Sequence, residues 1–218
     1  MLSVKTLSVK RRNISYEGYD LGKVQTPCFV FSKKGIVHQY RSLLEAFSGV
    51  IPTEIAYCVK TNSDTGILQV LEKEKSSFMV CSLEELQLLR KNVKKSSVVY
   101  VNPFLSQEEF LFALKLGVTR FVVESKDQFS FIKKIMRKKS FEKEIELLVR
   151  VTTETATNGL YPNNNSFGME IADAIDILEE AFQHKNITKI GIHNHMTSQN
   201  TTLGSWERTL KMLLGMGK

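Results

Sequence analysis

Six polar residues of this chain stand at the downstream ends of short apolar runs: Lys60, Ser82, Asn102, Glu124, Arg150 and His195. At the end of an apolar strand the Lys60 amine would be partly desolvated, which favours the neutral form and so a nucleophile. A bystander lysine would instead lay its stem along apolar neighbours and keep its charge in water. Arg150 is an obligate cation on an otherwise apolar run and must find anionic partners if it is buried. His195 serves either a site or the core. Glu85 lies three residues after Ser82, so its carboxylate either completes a helix cap or faces a site.

Those residues need elements to position them. β-branched and aromatic runs recur about every 20 to 40 residues, at 55–60, 78–81, 98–102, 120–124, 146–151 and 189–193. Their composition predicts strands. Amphipathic stretches lie between them, several opened by a Ser with Glu or Gln three residues on: Ser82 with Glu85, Ser106 with Glu109, Ser125 with Gln128. That is helix-start chemistry. Strand, cap and helix in repetition predict an α/β fold with parallel βα units. Near-continuous apolar strands such as Val98-Val99-Tyr100-Val101 suit a sheet buried on both faces, in a doubly wound fold or a (β/α)8 barrel. The glycine fingerprint of a dinucleotide fold is missing after the first strand, where Val59-Lys60-Thr61-Asn62 stands. In a barrel the strand ends that carry the six polar residues converge on one site.

Composition bounds the class of protein. With 218 residues, 42% hydrophobic and 24% charged, the chain is globular in make-up, and disordered or collagen-like classes are excluded. No apolar run approaches the roughly 18 residues that span a bilayer, so no membrane partner and a cytoplasmic location are expected. The net charge of +7 comes from separate patches such as Lys94-Lys95, Lys133-Lys134 and Arg137-Lys138-Lys139, interleaved with Glu. These read as solvated helix faces rather than a nucleic-acid surface. Cys28, Cys58 and Cys81 are odd in number and widely spaced in apolar runs, so they are expected to be small buried hydrophobes without metal or disulfide roles.

Several stretches resemble one family in order. Thr26-Pro27-Cys28-Phe29-Val30-Phe31 is similar to an opening strand TPxYVYD, and Ala56-Tyr57-Cys58-Val59-Lys60-Thr61-Asn62 to YAVKAN. Phe78-Met79-Val80-Cys81-Ser82-Leu83-Glu84-Glu85-Leu86 looks like FDVVSGGEL, Tyr100-Val101-Asn102-Pro103 like YANP, and Leu148-Val149-Arg150-Val151 like LLRV. Ser166-Phe167-Gly168 resembles KFG, and Gly191-Ile192-His193-Asn194-His195-Met196-Thr197-Ser198-Gln199 is close to GLHCHIGSQ. These belong to the fold-type III pyridoxal-phosphate-dependent decarboxylases of ornithine, diaminopimelate, arginine and lysine. The resemblance covers about residues 25 to 210, and its terminal Ser-Gln leans toward the diaminopimelate and arginine enzymes.

The resemblance implies an alanine racemase-like (β/α)8 barrel, incomplete, with about six of eight strands. It implies pyridoxal 5'-phosphate held through Lys60, with His195 stacked on its ring, Ser198 donating to its phosphate, Arg150 beneath it and Glu85 near the Lys60 attachment. Residues 1–24 read as an N-terminal extension and 25–218 as a partial barrel domain, without the family's C-terminal β-domain. The implied reaction is decarboxylation of a basic or diamino acid. The full-length family is homodimeric, and a complementing C-terminal chain is a further expected partner. The chain alone is expected to be inactive. Three departures bear on activity: Met79 replaces an aspartate, Ser166 a lysine and Thr197 a glycine. Two other readings stay open, a catalytically silent paralogue that binds a partner and a pyridoxal-phosphate homeostasis protein.

Overall fold

The computed structural model describes residues 15–16, 18–25, 27–152, 167–195 and 203–215. A short antiparallel pair, β1 (Ser15–Tyr16) with β2 (Tyr19–Asp20), precedes the main sheet. All six expected strands form: β3 (Ala56–Cys58), β4 (Ser77–Val80), β5 (Val98–Val101), β6 (Arg120–Val123), β7 (Ile145–Arg150) and β8 (Ile187–His193). They make one parallel sheet in the order β3-β4-β5-β6-β7-β8. Spatial order that follows chain order without reversal builds the wall of a barrel, whereas a doubly wound sheet reverses at a switch point. Within this sheet β3 and β8 each pair on one side only.

Helices connect the strands on the outer face. α1 (Lys33–Ser48) leads into β3, and α2 (Thr65–Lys73), α3 (Leu83–Asn92), α4 (Gln107–Lys115), α5 (Lys126–Met136) and α6 (Ile171–Phe182) follow β3 to β7; α7 (Leu203–Gly215) follows β8. The three Ser-led starts cap as the residue types dictate. Ser82 accepts from the Glu85 amide at 3.2 Å, Ser106 from Glu109 at 3.1 Å and Ser125 from Gln128 at 3.2 Å. Only α4 closes the reciprocal box, with Glu109 accepting from the Ser106 amide at 2.9 Å. In α3 and α5 the side chain reaches one residue further back, Glu85 to the Cys81 amide and Gln128 to the Glu124 amide, both at 2.8 Å. Those two bonds tie helix starts to the strand ends that carry polar groups.

Phe78, Val80, Tyr100, Phe121, Val123, Leu147 and Val149 point outward and are buried against Leu86, Leu89, Phe110, Ile132 and Ile177 of the helices. The Phe110 and Phe121 rings meet at a tilt of 56° with centroids 4.7 Å apart, and each buried phenyl contributes about 2–3 kcal/mol. The inner face holds a smaller cluster, Val99, Val101 and Val122, with Ala56, Met79 and Leu148 against it. At the upstream rim Arg120 joins Glu146 at 2.6 Å and Glu54 at 2.8 Å, Lys189 reaches Glu146 at 2.9 Å, and the Ser77 hydroxyl bonds to Glu54. This network closes the end of the inner face opposite the candidate site.

Four expectations need correction. Residues 27–31 form no strand, and Phe29 is 91% exposed. An extended segment becomes a strand only by pairing, and no strand of the described residues pairs with it. Cys28 is exposed and Cys58 and Cys81 are half-buried, so none is a fully buried hydrophobe. The strand expected at 55–60 ends at Cys58, and Lys60 lies in a 3-10 turn, Val59–Thr61. Lys60 is exposed there rather than partly desolvated. Of the basic patches, Lys133-Lys134 lies on α5, where Lys133 bridges to Glu180 at 2.6 Å, while Lys94-Lys95 and Arg137-Lys138-Lys139 are exposed just past the ends of α3 and α5 rather than on helix faces.

Candidate functional site

Side chains alternate between the two faces of a strand, so the register decides which residues share the inner face. Cys58 pairs with Met79, Met79 with Val99, Val101 with Val122, Val122 with Leu148, Leu148 with Gly191 and Arg150 with His193. Two residues further along each strand lie Cys81, Glu124 and Arg150. Cys58, Cys81, Glu124, Arg150 and His193 therefore share the inner face at the downstream rim, above the Val99–Val101–Val122 cluster.

Arg150 donates from Nη1 to Glu124 Oε1 at 2.6 Å, with side-chain exposures of 10% and 4%. Glu124 Oε2 has no partner among the described residues. The guanidinium also lies 5.2 Å from the centre of the Phe167 ring, a cation–π contact. Gly168 beside it has φ +88°, and a Cβ there would come within 3.1 Å of the Arg150 carbonyl oxygen. Only glycine fits that backbone at that distance, which brings Phe167 over Arg150.

His193, opposite Arg150, is pushed down to about 4 by burial, with Arg150 and His195 adding to the shift. Its Nδ1 finds no partner among the described residues. His195 is lowered too, first by partial burial of its ring and then by the charges of Arg150 and Lys60, although the residue as a whole is exposed. His195 thus lies within reach of the charges of both Arg150 and Lys60. Cys58 is lowered to about 6 by a hydrogen bond with Cys81, against burial and with help from Lys60. The same hydrogen bond, with burial, pushes Cys81 up. Glu85 exerts its charge on both thiols while its carboxylate accepts from the Cys81 amide.

Of the expected site residues, the rim gathers Lys60, His195 and Arg150, with Glu85 behind the thiols. Ser198 lies outside the described residues, as do the departures Ser166 and Thr197. Met79 packs in the inner-face cluster. Ser82 and Asn102 leave the expected ring: Ser82 caps α3, and Asn102 bonds to Glu109 at 3.3 Å and accepts from the Phe104 amide at 2.9 Å. His193 and the two thiols were not anticipated, because only the pairing of Arg150 with His193 and of Cys58 with Met79 puts them on this face.

The model of the family described as "Pyridoxal-dependent decarboxylase, pyridoxal binding domain" matches residues 33–217. The chain belongs to the pyridoxal-dependent decarboxylases. It is 31% identical over 196 residues to a diaminopimelate decarboxylase of Pseudomonas fluorescens, covering 88% of this chain and 47% of that protein. The crystal structure of M. jannaschii diaminopimelate decarboxylase in complex with L-lysine superposes with a TM-score of 0.78 at 22% identity, over 99% of this chain and 53% of the other. A structure of SrLDC in complex with PLP and cadaverine gives 0.73 at 22%, over 93% and 50%. The fold is thus that of the barrel of these decarboxylases, and the chain spans about half the length of the relatives it matches. Pyridoxal phosphate is the cofactor of the family. The rim fits such a group: the Lys60 residue is exposed, Arg150 is fixed by Glu124, and the His195 imidazole lies within reach of both their charges.

Proposed function

We propose that this chain is the cofactor-holding part of a decarboxylase acting on a basic or diamino acid, diaminopimelate, ornithine, arginine or lysine. The observation that carries this reading is the convergence of Lys60, Arg150 and His195 at the downstream rim of the barrel wall. When bound, pyridoxal phosphate supplies an electron sink for the charge left at the substrate α-carbon. Lys60 would hold it through its amine, and the exposure of that amine leaves it open to the cofactor's aldehyde. His195 would cover one face of the ring, its lowered proton affinity keeping it neutral near pH 7 and so able to lie beside Arg150. Arg150, held by Glu124, would bring a fixed positive charge beneath the cofactor, and Ser198 would donate to the phosphate. Glu85 would act from behind Cys58 and Cys81, with its carboxylate fixed by the Cys81 amide.

The same reading takes residues 25–218 as one partial barrel domain after an N-terminal extension, works in the cytoplasm, and expects a homodimer or a complementing C-terminal chain. Support for a further chain comes from the single pairing of β3 and β8 and from Phe29, Val50, Phe182 and Leu214, all more than 70% exposed. Because the chain spans about half the length of the relatives it matches, turnover is expected only when a C-terminal half is supplied. The test is carbon dioxide release from each of the four amino acids with added pyridoxal phosphate, with and without a separately expressed C-terminal half of a relative. Release that needs both halves is expected. Cofactor absorbance that never appears would overturn the reading, and turnover by the chain alone would overturn its incompleteness.

A further inference from the structure

Lys60 is exposed, yet the turn that presents it is tied down at both ends. The chain leaves β3 at Cys58, makes one 3-10 turn over Val59–Thr61 and is extended again at Asn62, with φ −161° and ψ 116°. Val59 is fully buried in the helix-facing core, while Lys60, the next residue, stands in solvent. A single 3-10 turn has poor hydrogen-bond geometry and little stability of its own. Its conformation depends on the contacts that flank it.

Two hydroxyls make those contacts. Thr61 Oγ1 donates to the Cys58 carbonyl oxygen at 2.7 Å and closes the turn onto its own start. The Tyr57 hydroxyl donates to the Asn62 carbonyl oxygen at 3.0 Å, a contact between residues five apart that spans the whole turn. Tyr57 alternates with Cys58 along β3 and so lies on the opposite face of the sheet. Its half-buried ring packs against the helix-facing core, edge-on to Phe78 at 6.4 Å and 81°. Beyond the turn, Asn62 Oδ1 accepts from the Asp64 amide at 2.9 Å, and Asp64 caps α2 by accepting from the Gly66 amide at 2.8 Å. The backbone that carries Lys60 is thus held from the core through to the following helix.

We propose that Tyr57 is a positioning residue for Lys60, its hydroxyl fixing the exit of the turn while Thr61 fixes the entry. The consequence for the cofactor rests on the reading of Lys60 as the attachment point, but the bracing of the turn does not. Tyr57 acts through the backbone, from the side of the barrel wall that faces the helices. Without its hydroxyl the Asn62 carbonyl loses its tie to the core, and the fraction of chains that offers the Lys60 amine in the binding geometry falls. Apparent affinity falls with that fraction. One net hydrogen bond sets the scale, about 2–10-fold. The Tyr57 bond is half-buried and the Thr61 bond exposed, so Tyr57 is the stronger brace.

The test uses the full chain beside Tyr57→Phe and Thr61→Val, which each remove one hydroxyl and keep the ring or the branch. Amide hydrogen exchange is read first, without cofactor. The peptide covering residues 58–62 should exchange about 2–10-fold faster in Tyr57→Phe and less so in Thr61→Val, while the turn at residues 102–105 keeps its rate. Each chain is then incubated with limiting pyridoxal phosphate, reduced with borohydride and mapped, with the exposed Lys94 and Lys185 as internal controls. Pyridoxylation of Lys60 in Tyr57→Phe should fall about 2–10-fold relative to those two lysines. A parent chain with no pyridoxyl group on Lys60 overturns the attachment reading, and the positioning role falls with it. With the parent loaded at Lys60, the role of Tyr57 alone is overturned by a Tyr57→Phe chain that loads Lys60 as fully, by equal losses at the control lysines, or by an unchanged exchange rate at the turn. If Tyr57→Phe does not fold, Thr61→Val carries both readouts, and no change in either overturns the brace.

Discussion

Replacing Arg150 with Met leaves the Glu124 carboxylate, with 4% of its side chain exposed, without the cation 2.6 Å away that compensates it. Replacing Glu124 with Gln strands the guanidinium instead. Breaking a buried pair from one side costs about 3–5 kcal/mol, because the remaining charge stays desolvated. The two losses differ in how they can be relieved. A stranded carboxylate can take up a proton at about 1.4 kcal/mol per pH unit above its ordinary range, which caps that part of the penalty near 3–4 kcal/mol at pH 7 and shrinks it as pH falls. A guanidinium has no such escape, so the Glu124→Gln penalty should be flat from pH 7 to 5. Removing both charges, as Glu124→Gln with Arg150→Met, leaves no buried charge above the Val122 cluster and should cost less than either single change. Urea unfolding of the four proteins, followed by circular dichroism at pH 7 and pH 5, gives the cycle. The expected coupling is about 3 kcal/mol. Additive single effects, or an Arg150→Met penalty that does not fall with pH, would refute the reasoning.

Three other outcomes follow from the same geometry. Burial holds His193 neutral down to about pH 4 while an unfolded imidazole titrates near 6.5, so the unfolded state binds the proton first. Stability should be intact above about pH 6.5 and decline between 6.5 and 4 by at most about 3 kcal/mol; His193→Gln should flatten most of that limb in urea titrations, with a residue from His195 and His184, which are lowered in the same direction. Glu54 and Glu146, lowered by their hydrogen bonds and cationic partners against burial, should lose their contribution only below about pH 4.5. Gly168→Ala forces a side chain onto φ +88° and to within 3.1 Å of backbone, and should cost about 2 kcal/mol in thermal unfolding, where an unchanged midpoint would contradict the contact. His195→Ala should weaken pyridoxal phosphate retention, seen by absorbance on dialysis, while leaving the circular dichroism spectrum and melting midpoint unchanged, because His195 is exposed.

Strands and caps were legible because each depends on local chemistry: apolar β-branched runs, and a Ser hydroxyl three residues before a Glu or Gln. The site was legible where a polar residue ends an apolar run, as at Lys60, Arg150 and Glu124. Ser82 and Asn102 looked equivalent, but their side chains are consumed by the helix start and the turn that follow. Residues 27–31 carry strand-like composition, yet strand formation depends on a pairing partner, which composition does not encode. The thiol pair was hidden for a related reason. Cysteine reads as a small hydrophobe one residue at a time, and only the β3–β4 register puts Cys58 and Cys81 on one face. Lys60 was expected to be shielded by its strand, but the chain turns out of the sheet after Cys58 and carries it into solvent.

Attachment of the cofactor at Lys60 is the claim on which the account turns. The purified chain is incubated with pyridoxal phosphate, reduced with borohydride, digested and mapped, beside Lys60→Ala treated identically. A pyridoxyl group on the peptide containing Val59-Lys60-Thr61, absent from Lys60→Ala, is the predicted result. A pyridoxyl group on another lysine, with Lys60 unmodified, would contradict it.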